Sequence, residues 1–345
     1  MGIPPVSQDR DPAMTIRRPY LMFLGNAPDQ LAAKTAQGIV HWRPEWCLGQ
    51  MRLAGCKADL GLPEMTLDQA VAAGVKTVIV GVANRGGVLS DDWVPLLADA
   101  LGRGLDLASG LHQRLCEVPV VAAAAAQAGR QLVDVRHPTR DFVVGSGARR
   151  PGKRLLTVGT DCSIGKMYTA LALEKAMRAR GFDADFRATG QTGIFIAGSG
   201  VSVDAVVADF ISGAVEYLSP AAEPGHWDLI EGQGSLFHAS YAGVSLGLLH
   251  GAQADALVMC HEPTRRHMRG LPHYPLPTLE DCIAANLQAA RLTNPAVRCV
   301  GIALNTAALE DAAADTLLAE TAARLGLPAV DPLRTGVGAI VDQLA

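Results

Sequence analysis

The sequence predicts an α/β protein of two domains, each a parallel sheet covered by helices, the second built around a P-loop. Three observations lead there. Short apolar runs alternate with helical patterns along nearly the whole chain, which is how strand-helix-strand units form a parallel sheet. The stretch GSGARRPGKR (145–154) interrupts that alternation with Gly and Arg and marks a linker. An apolar strand then runs into GTDCSIGK (159–166), a glycine-rich loop opening a helix, the context in which such a loop cradles phosphate. The expected division is a disordered extension over 1–18, a first sheet domain over 19–148 and a P-loop-containing domain over 149–345.

Bulk properties narrow the function classes. The 345 residues suffice for two ordinary domains, and 49% hydrophobic against 19% charged residues leaves enough apolar material for sizeable cores. A net charge of −4 argues against broad nucleic-acid binding. The most apolar long stretch, 242–260, is broken by His250, Gln253 and Asp255, so no membrane span is expected. The first fifteen residues are polar and contain proline, without the apolar segment of a signal peptide. Seven cysteines without a CxxC pair suggest reduced thiols and a cytoplasmic protein.

The elements follow in order. Tyr20–Leu24 reads as a strand ending in Gly25-Asn26, Thr66–Ala73 as a helix, and Val75–Val82 as a β-branched strand ending in GVANRGG (81–87). Asp91 is expected to cap a helix through Leu101. Strands are expected at Leu105–Ala108 and Gln131–Val135, with the Ala-rich run Val118–Ala126 as a packed helix between them. In the second half, Leu155–Val158 is a buried strand and Lys166–Arg180 a helix stopped by Gly181. Phe182, Ala184, Phe186 and Ala188 alternate as a strand does, and Val203 to Leu218 carries one helical stripe. Further strands are expected at Asp228–Ile230, Ala256–Cys260 and Val297–Leu304, and a last helix at Val337–Leu344.

The loop Gly159, Thr160, Asp161, Cys162, Ser163, Ile164, Gly165, Lys166 carries the strongest chemistry. Its backbone N–H groups, the helix N-terminus and the lysine all favour an anion. It resembles the dethiobiotin synthetase type of P-loop, which reads Gly-Thr-Asp, three residues, Gly-Lys-Thr. Gly159-Thr160-Asp161 and Gly165-Lys166 match, but Met167 stands where a hydroxyl would hold Mg²⁺. Thr169, two residues on, points elsewhere around the helix.

Other candidates sit at expected strand ends, where open parallel sheets bind ligands. In LIEGQGSLFH (229–238), Glu231 is a candidate Mg²⁺ ligand or general base and His238 a candidate acid/base, each weighed against a capping carboxylate and a plain loop histidine. RATGQTG (187–193) is expected at the end of the strand neighbouring the phosphate loop, with Arg187, Gln191 and Thr192 as polar contacts. CHEPTRRHMRG (260–270) lacks the HExxH zinc spacing but offers a basic loop with Arg265, suited to an anionic substrate. LNT (304–306) presents Asn305 to a base or pantetheine group. In the first domain Asn84, Arg85, His112 and Arg136 fall at one sheet edge, where a second half-site could form.

As a set, VGTDCSIGKM, TGQTG, IEGQGSLFH and GIALNT, preceded by GVANRGG and SGLH, resemble the D-glutamate N-acetyltransferase-like family, long catalogued as a domain of unknown function. The likeness runs from about Pro19 to the C-terminus. It implies a Rossmann-like N-terminal domain before the P-loop domain, and acetyl-CoA as co-substrate with its phosphates on the loop. It implies an acidic amino acid, D-glutamate above all, as acceptor. Lys166, Glu231 and His238 would then serve catalysis, and Arg187, Gln191, Thr192, Arg85 or Arg265 would bind substrate. A homo-oligomer is the common default for such enzymes. The alternative is an ATP-dependent ligase or kinase of the dethiobiotin synthetase type, with Mg²⁺ on Glu231; Met167 counts against it.

Overall fold

The computed structural model describes residues 16–83 and 86–344. They divide into two compact units, one running to Pro138 with Ile194–Ser199 added, the other made of Thr139–Gly193 and Gly200 onward.

The first unit contains β1 (Tyr20–Gly25), α1 (Lys34–Trp42), β2 (Cys47–Arg52), α2 (Leu67–Ala72), β3 (Thr77–Val80), α3 (Val94–Gly102), β4 (Asp106–Ser109), α4 (Pro119–Ala128) and β5 (Leu132–Asp134). Its five strands are all parallel, in the order β2-β1-β3-β4-β5. β1 and β3 are buried along their whole length, as helices on both faces of a parallel sheet require. Thr66 starts α2 through a reciprocal capping box with Gln69. Asp91 lies within a 3₁₀ turn, Asp91–Trp93, ahead of α3 and does not cap it. Of the extension expected over 1–18, residues 1–15 lie outside the described residues. The last three are packed: Ile16 is buried and Arg17 pairs with the buried Asp106.

The second unit holds β6 (Lys153–Gly159), α5 (Lys166–Ala179), β7 (Ala184–Arg187), the first three residues of the helical segment α6 (Gln191–Ala197), α7 (Ile211–Leu218), β8 (Trp227–Ile230), α8 (Ala242–Ala252), β9 (Ala256–His261), α9 (Leu279–Ala290), β10 (Arg298–Leu304), α10 (Asp311–Leu325), β11 (Ala329–Val330) and α11 (Gly338–Val341). The strands are parallel in the order β11-β10-β9-β6-β8-β7. Leu156, Val158, Ile230, Leu257, Met259, Ile302 and Leu304 from four adjacent strands build one core with residues of α7 to α10. Burying each such side chain is worth about 1.5–3 kcal/mol.

This strand order corrects one expectation. β7 does not neighbour the phosphate-loop strand; β8 lies between them. β6 therefore ends between β8, which leads to Glu231, and β9, which ends in His261. The chain winds one way from β6 to β7 and the other way to β9, so the loop after β6 sits at the switch point where such sheets bind ligands.

Two further differences have local causes. The stripe Val203–Leu218 becomes a helix only from Ile211, after 3₁₀ turns at Val203–Ala205 and Ala208–Phe210. Val206 is extended (φ −88°, ψ 137°), a conformation β-branched residues favour over the helix. The segment ahead of the expected 148/149 boundary belongs to the second unit. Phe142 packs on Tyr217 with ring centroids 5.8 Å apart, and Glu216 accepts hydrogen bonds from the Ser146 and Gly147 amides.

Candidate active site

The phosphate loop is shaped by two left-handed residues. Gly165, immediately before α5, has φ +108°, and Ser163 has φ 53°; only glycine adopts the first without strain. α5 then begins at Lys166, whose first-turn amides have no partner within their own helix. Lys166 is buried, and its Nζ donates to the Asp161 carbonyl at 2.7 Å. Burial pushes its pKa down, while the charges of Asp161 and Glu231 hold it up. The loop thus carries a desolvated cation at a helix N-terminus, the combination that binds phosphate oxygens.

Asp161 is the loop's internal brace. It is fully buried and accepts from the Cys162 amide at 2.7 Å, Arg265 Nη1 at 2.7 Å and the Arg269 amide at 2.8 Å. Arg265 also donates to the Cys162 and Ser163 carbonyls and pairs with Glu262. Its guanidinium is spent on the loop, which corrects the expectation that it offers itself to a substrate carboxylate. Thr160 Oγ1 lies 2.9 Å from Nδ1 of His261. Burial, with the nearby Arg265 and Arg324 charges, pushes His261 down to about 4, so its ring is neutral at physiological pH.

Glu231 stands just beyond β8. Its Oε2 accepts from the Thr189 and Gly190 amides at 3.0 and 3.2 Å, and its Oε1 from Gln233 Nε2 at 3.2 Å. Burial pushes its pKa up to about 7, against the restraint of these donors and of Lys166. The glycines beside it leave no room for side chains: a Cβ on Gly190 would stand 2.6 Å from Gln233 Nε2, and one on Gly193 would strike the Glu231 carboxylate.

The other expected residues divide. Gln191 and Thr192 follow directly on the two amides that hold Glu231, at the start of α6. His238 is buried beside the loop, but both ring nitrogens are engaged. Nδ1 accepts from the Ser240 amide, so Nε2 carries the proton and donates to the Arg269 carbonyl at 3.1 Å. That ring has no spare lone pair for proton transfer. Arg187 is tied to Asp228 at 2.5 Å and reaches Asp185 at 3.4 Å; it is the strand arginine of an ion cluster rather than a free substrate contact. Asn305 accepts from the Ala307 amide in its own turn. Arg85 and Asn84 lie outside the described residues. In the first unit Arg136 donates to the Gly110 carbonyl, and the His112 carbonyl meets His137 Nε2 at 2.8 Å.

The donor set does not suit Mg²⁺. Met167 has no hydroxyl, and the Thr169 hydroxyl donates to the Gly165 carbonyl at 3.0 Å. N–H donors already surround the Glu231 carboxylate. Asp161, Cys162 and His238 bring potential ligand atoms within 4.8 Å of one another. Arg265 neutralises that aspartate, however, and Nε2 of the histidine is protonated, so this trio does not fit a cation either.

A parallel sheet that reverses its winding at a glycine-rich loop, with a buried lysine opening the next helix, defines the P-loop class. Residues 141–341 match a family described as a domain of unknown function (DUF1611_C), P-loop domain, and residues 51–138 match its companion, a DUF1611_N Rossmann-like domain. The chain belongs to this family. It is 56% identical over 330 residues to a D-glutamate N-acetyltransferase of Tritonibacter scottomollicae, covering 96% of this chain and 99% of that one. It is 50% identical to a D-glutamate N-acetyltransferase of a Pseudoalteromonas species, covering 96% and 100%. A crystal structure of a DUF1611 family protein from Anabaena variabilis superposes with a TM-score of 0.85 at 33% identity, over 95% of this chain and 99% of the other. The fold is therefore Rossmann-like followed by P-loop, and the chain is an N-acetyltransferase. No helix among the described residues is long and apolar enough to cross a membrane.

Proposed function

We propose that this enzyme moves the acetyl group of acetyl-CoA to the amino group of an acidic amino acid, D-glutamate above all, with a phosphate of the donor on the loop after β6. One observation carries the reading: Lys166 is a buried lysine, its Nζ already held on a loop carbonyl, in an anion cradle that lacks a hydroxyl for Mg²⁺. Coenzyme A brings a pyrophosphate and a 3′-phosphate, so a cradle of this kind can hold it without hydrolysing anything. The names of the two relatives supply the acceptor and support the transfer.

In this reading Lys166 and the amides of Gly165 and its neighbours hold the phosphate. Glu231 takes the proton that the acceptor ammonium must lose before its nitrogen attacks the thioester carbon. A carboxyl with pKa about 7 is matched to that task at neutral pH. Gln191 and Thr192, beside it, are the polar contacts for the acceptor. His238, Asp161 and Arg265 keep the loop in shape. The carbon–sulfur bond breaks as the amide bond forms, and coenzyme A leaves as a free thiol.

The ATP-dependent ligase or kinase alternative needs a hydroxyl at 167 or a substitute from Thr169, and neither is on offer. The test is thiol release from acetyl-CoA in the presence of single D- and L-amino acids. Release with D-glutamate is the expected result; no release across the panel removes the reading.

A further inference from the structure

Arg187 and Arg265 are both committed to internal carboxylates, so an anionic substrate needs another cation. Arg269 is built for that position. Its backbone is pinned beside the phosphate loop from two sides: its amide donates to Asp161 Oδ2 at 2.8 Å, and its carbonyl accepts from His238 Nε2 at 3.1 Å. The side chains that do the pinning are 0% and 1% exposed. Buried polar groups are retained where their partners are fixed, and here two of them hold one residue of an otherwise exposed loop. Met268, its neighbour, is fully buried and anchors the same turn.

The side chain itself makes no ion pair among the described residues and is half-buried. Burial pushes the Cys162 thiol up, and the charges of Lys166, Arg269 and Arg265 restrain that rise, which sets the Arg269 charge near the middle of the loop. Arg266, in the same basic run, is exposed.

We infer that Arg269 is an oxyanion-binding residue of the phosphate loop: its guanidinium, held by Asp161 and His238 through the backbone, binds a phosphate of the acyl donor or a carboxylate of the acceptor alongside Lys166. This gives Asp161 and His238 a shared task, the placing of a cation. Phosphate and carboxylate are recognised by the same planar fork of N–H donors, so the experiment has to separate the two sources.

The inference rests on the reading of the loop as an anion cradle, but it is tested apart from acetyl transfer. Arg269→Ala keeps both backbone hydrogen bonds and should fold with a melting temperature close to wild type. Calorimetric titration with inorganic pyrophosphate should show binding to the wild type and a roughly tenfold or greater loss in Arg269→Ala, the usual scale of a charge-assisted hydrogen bond. Arg269→Lys should recover part of it. Kinetics then name the source. A raised KM for acetyl-CoA alone assigns the phosphate, and a raised KM for the amino acid alone assigns the carboxylate. Unchanged pyrophosphate affinity with both KM values unchanged overturns the inference, even if acetyl transfer stands. Pyrophosphate binding that depends on Arg269 in a protein that releases no thiol supports the inference and removes the acetyl-CoA reading instead.

Discussion

Nζ of Lys166 donates to the main-chain carbonyl of Asp161 at 2.7 Å, inside the loop to which both residues belong. The ammonium is thus already desolvated and aimed before any ligand arrives, with one carbonyl to exchange for a phosphate oxygen. Such preorganisation lowers the ordering cost of binding. Replacing Lys166 by Met should raise the KM for acetyl-CoA by at least tenfold. The same change should leave the protein as stable as before or more so, because a buried ammonium is removed. Steady-state kinetics and thermal melting of one variant check both halves.

Glu231 should impose a pH profile. Its carboxyl is pushed up to about 7 by burial, so kcat/KM should fall as pH drops through 7 and the base is protonated. Glu231→Gln should lose most activity at every pH and with it this acid limb. Stability runs the other way. The folded pKa lies above the unfolded value, so Glu231 contributes most to stability below about pH 4.5, and that contribution is lost as pH rises through 7. Melting temperatures of Glu231→Gln and wild type should therefore lie closest below about pH 4.5. The gap should open as pH rises towards 7 and be complete above it, the variant then being more stable by on the order of 1–3 kcal/mol.

Chelation should change little. With Met167 in the hydroxyl position and the Thr169 hydroxyl turned back to Gly165, no ligand set for Mg²⁺ forms beside the loop. Rates with EDTA and with added Mg²⁺ should agree within about twofold. A loss on chelation that Mg²⁺ restores would contradict the geometry described here.

Gly193 has no space for a methyl group, because the Glu231 carboxylate occupies it. Gly193→Ala should displace that carboxylate from the Thr189 and Gly190 amides. The cost should be about 1–3 kcal/mol of stability, the usual scale of overpacking, together with a fall in kcat. Replacing Gly225 by Ala, at the other end of β8 from Glu231 with open space around it and no left-handed φ, is a control for the glycine change itself: it should leave kcat unchanged.

Much of this arrangement was legible in the sequence, for identifiable reasons. β6, β8 and β9 each carry a short buried apolar stretch, Leu155–Leu156, Leu229–Ile230 and Ala256–Cys260, so their ends, and with them Lys166, Glu231 and His261, could be placed at one edge of a sheet. Partners of the charged groups could not. Arg265 meets Asp161 across 104 residues and Arg187 meets Asp228 across 41; which carboxylate a guanidinium reaches depends on strand order, and the edge position of β7 leaves no local trace. The engagement of both His238 nitrogens is likewise set by Ser240 and Arg269 once the loops are folded. In the stripe after Val203 the helical period holds from Ile211 on, whereas the extended Val206 and Val207 break the earlier part into two 3₁₀ turns. Arg269 carried one faint signal, its place in a basic run after a strand.

The central claim is that the loop after β6 holds a phosphate of acetyl-CoA on Lys166. Calorimetric titration of acetyl-CoA into the wild type and Lys166→Met, without divalent cations, tests it most directly. Binding by the wild type and at least tenfold weaker binding by the variant are the expected results. Equal affinity for the two proteins, or binding of Mg-ATP in place of acetyl-CoA, would contradict it.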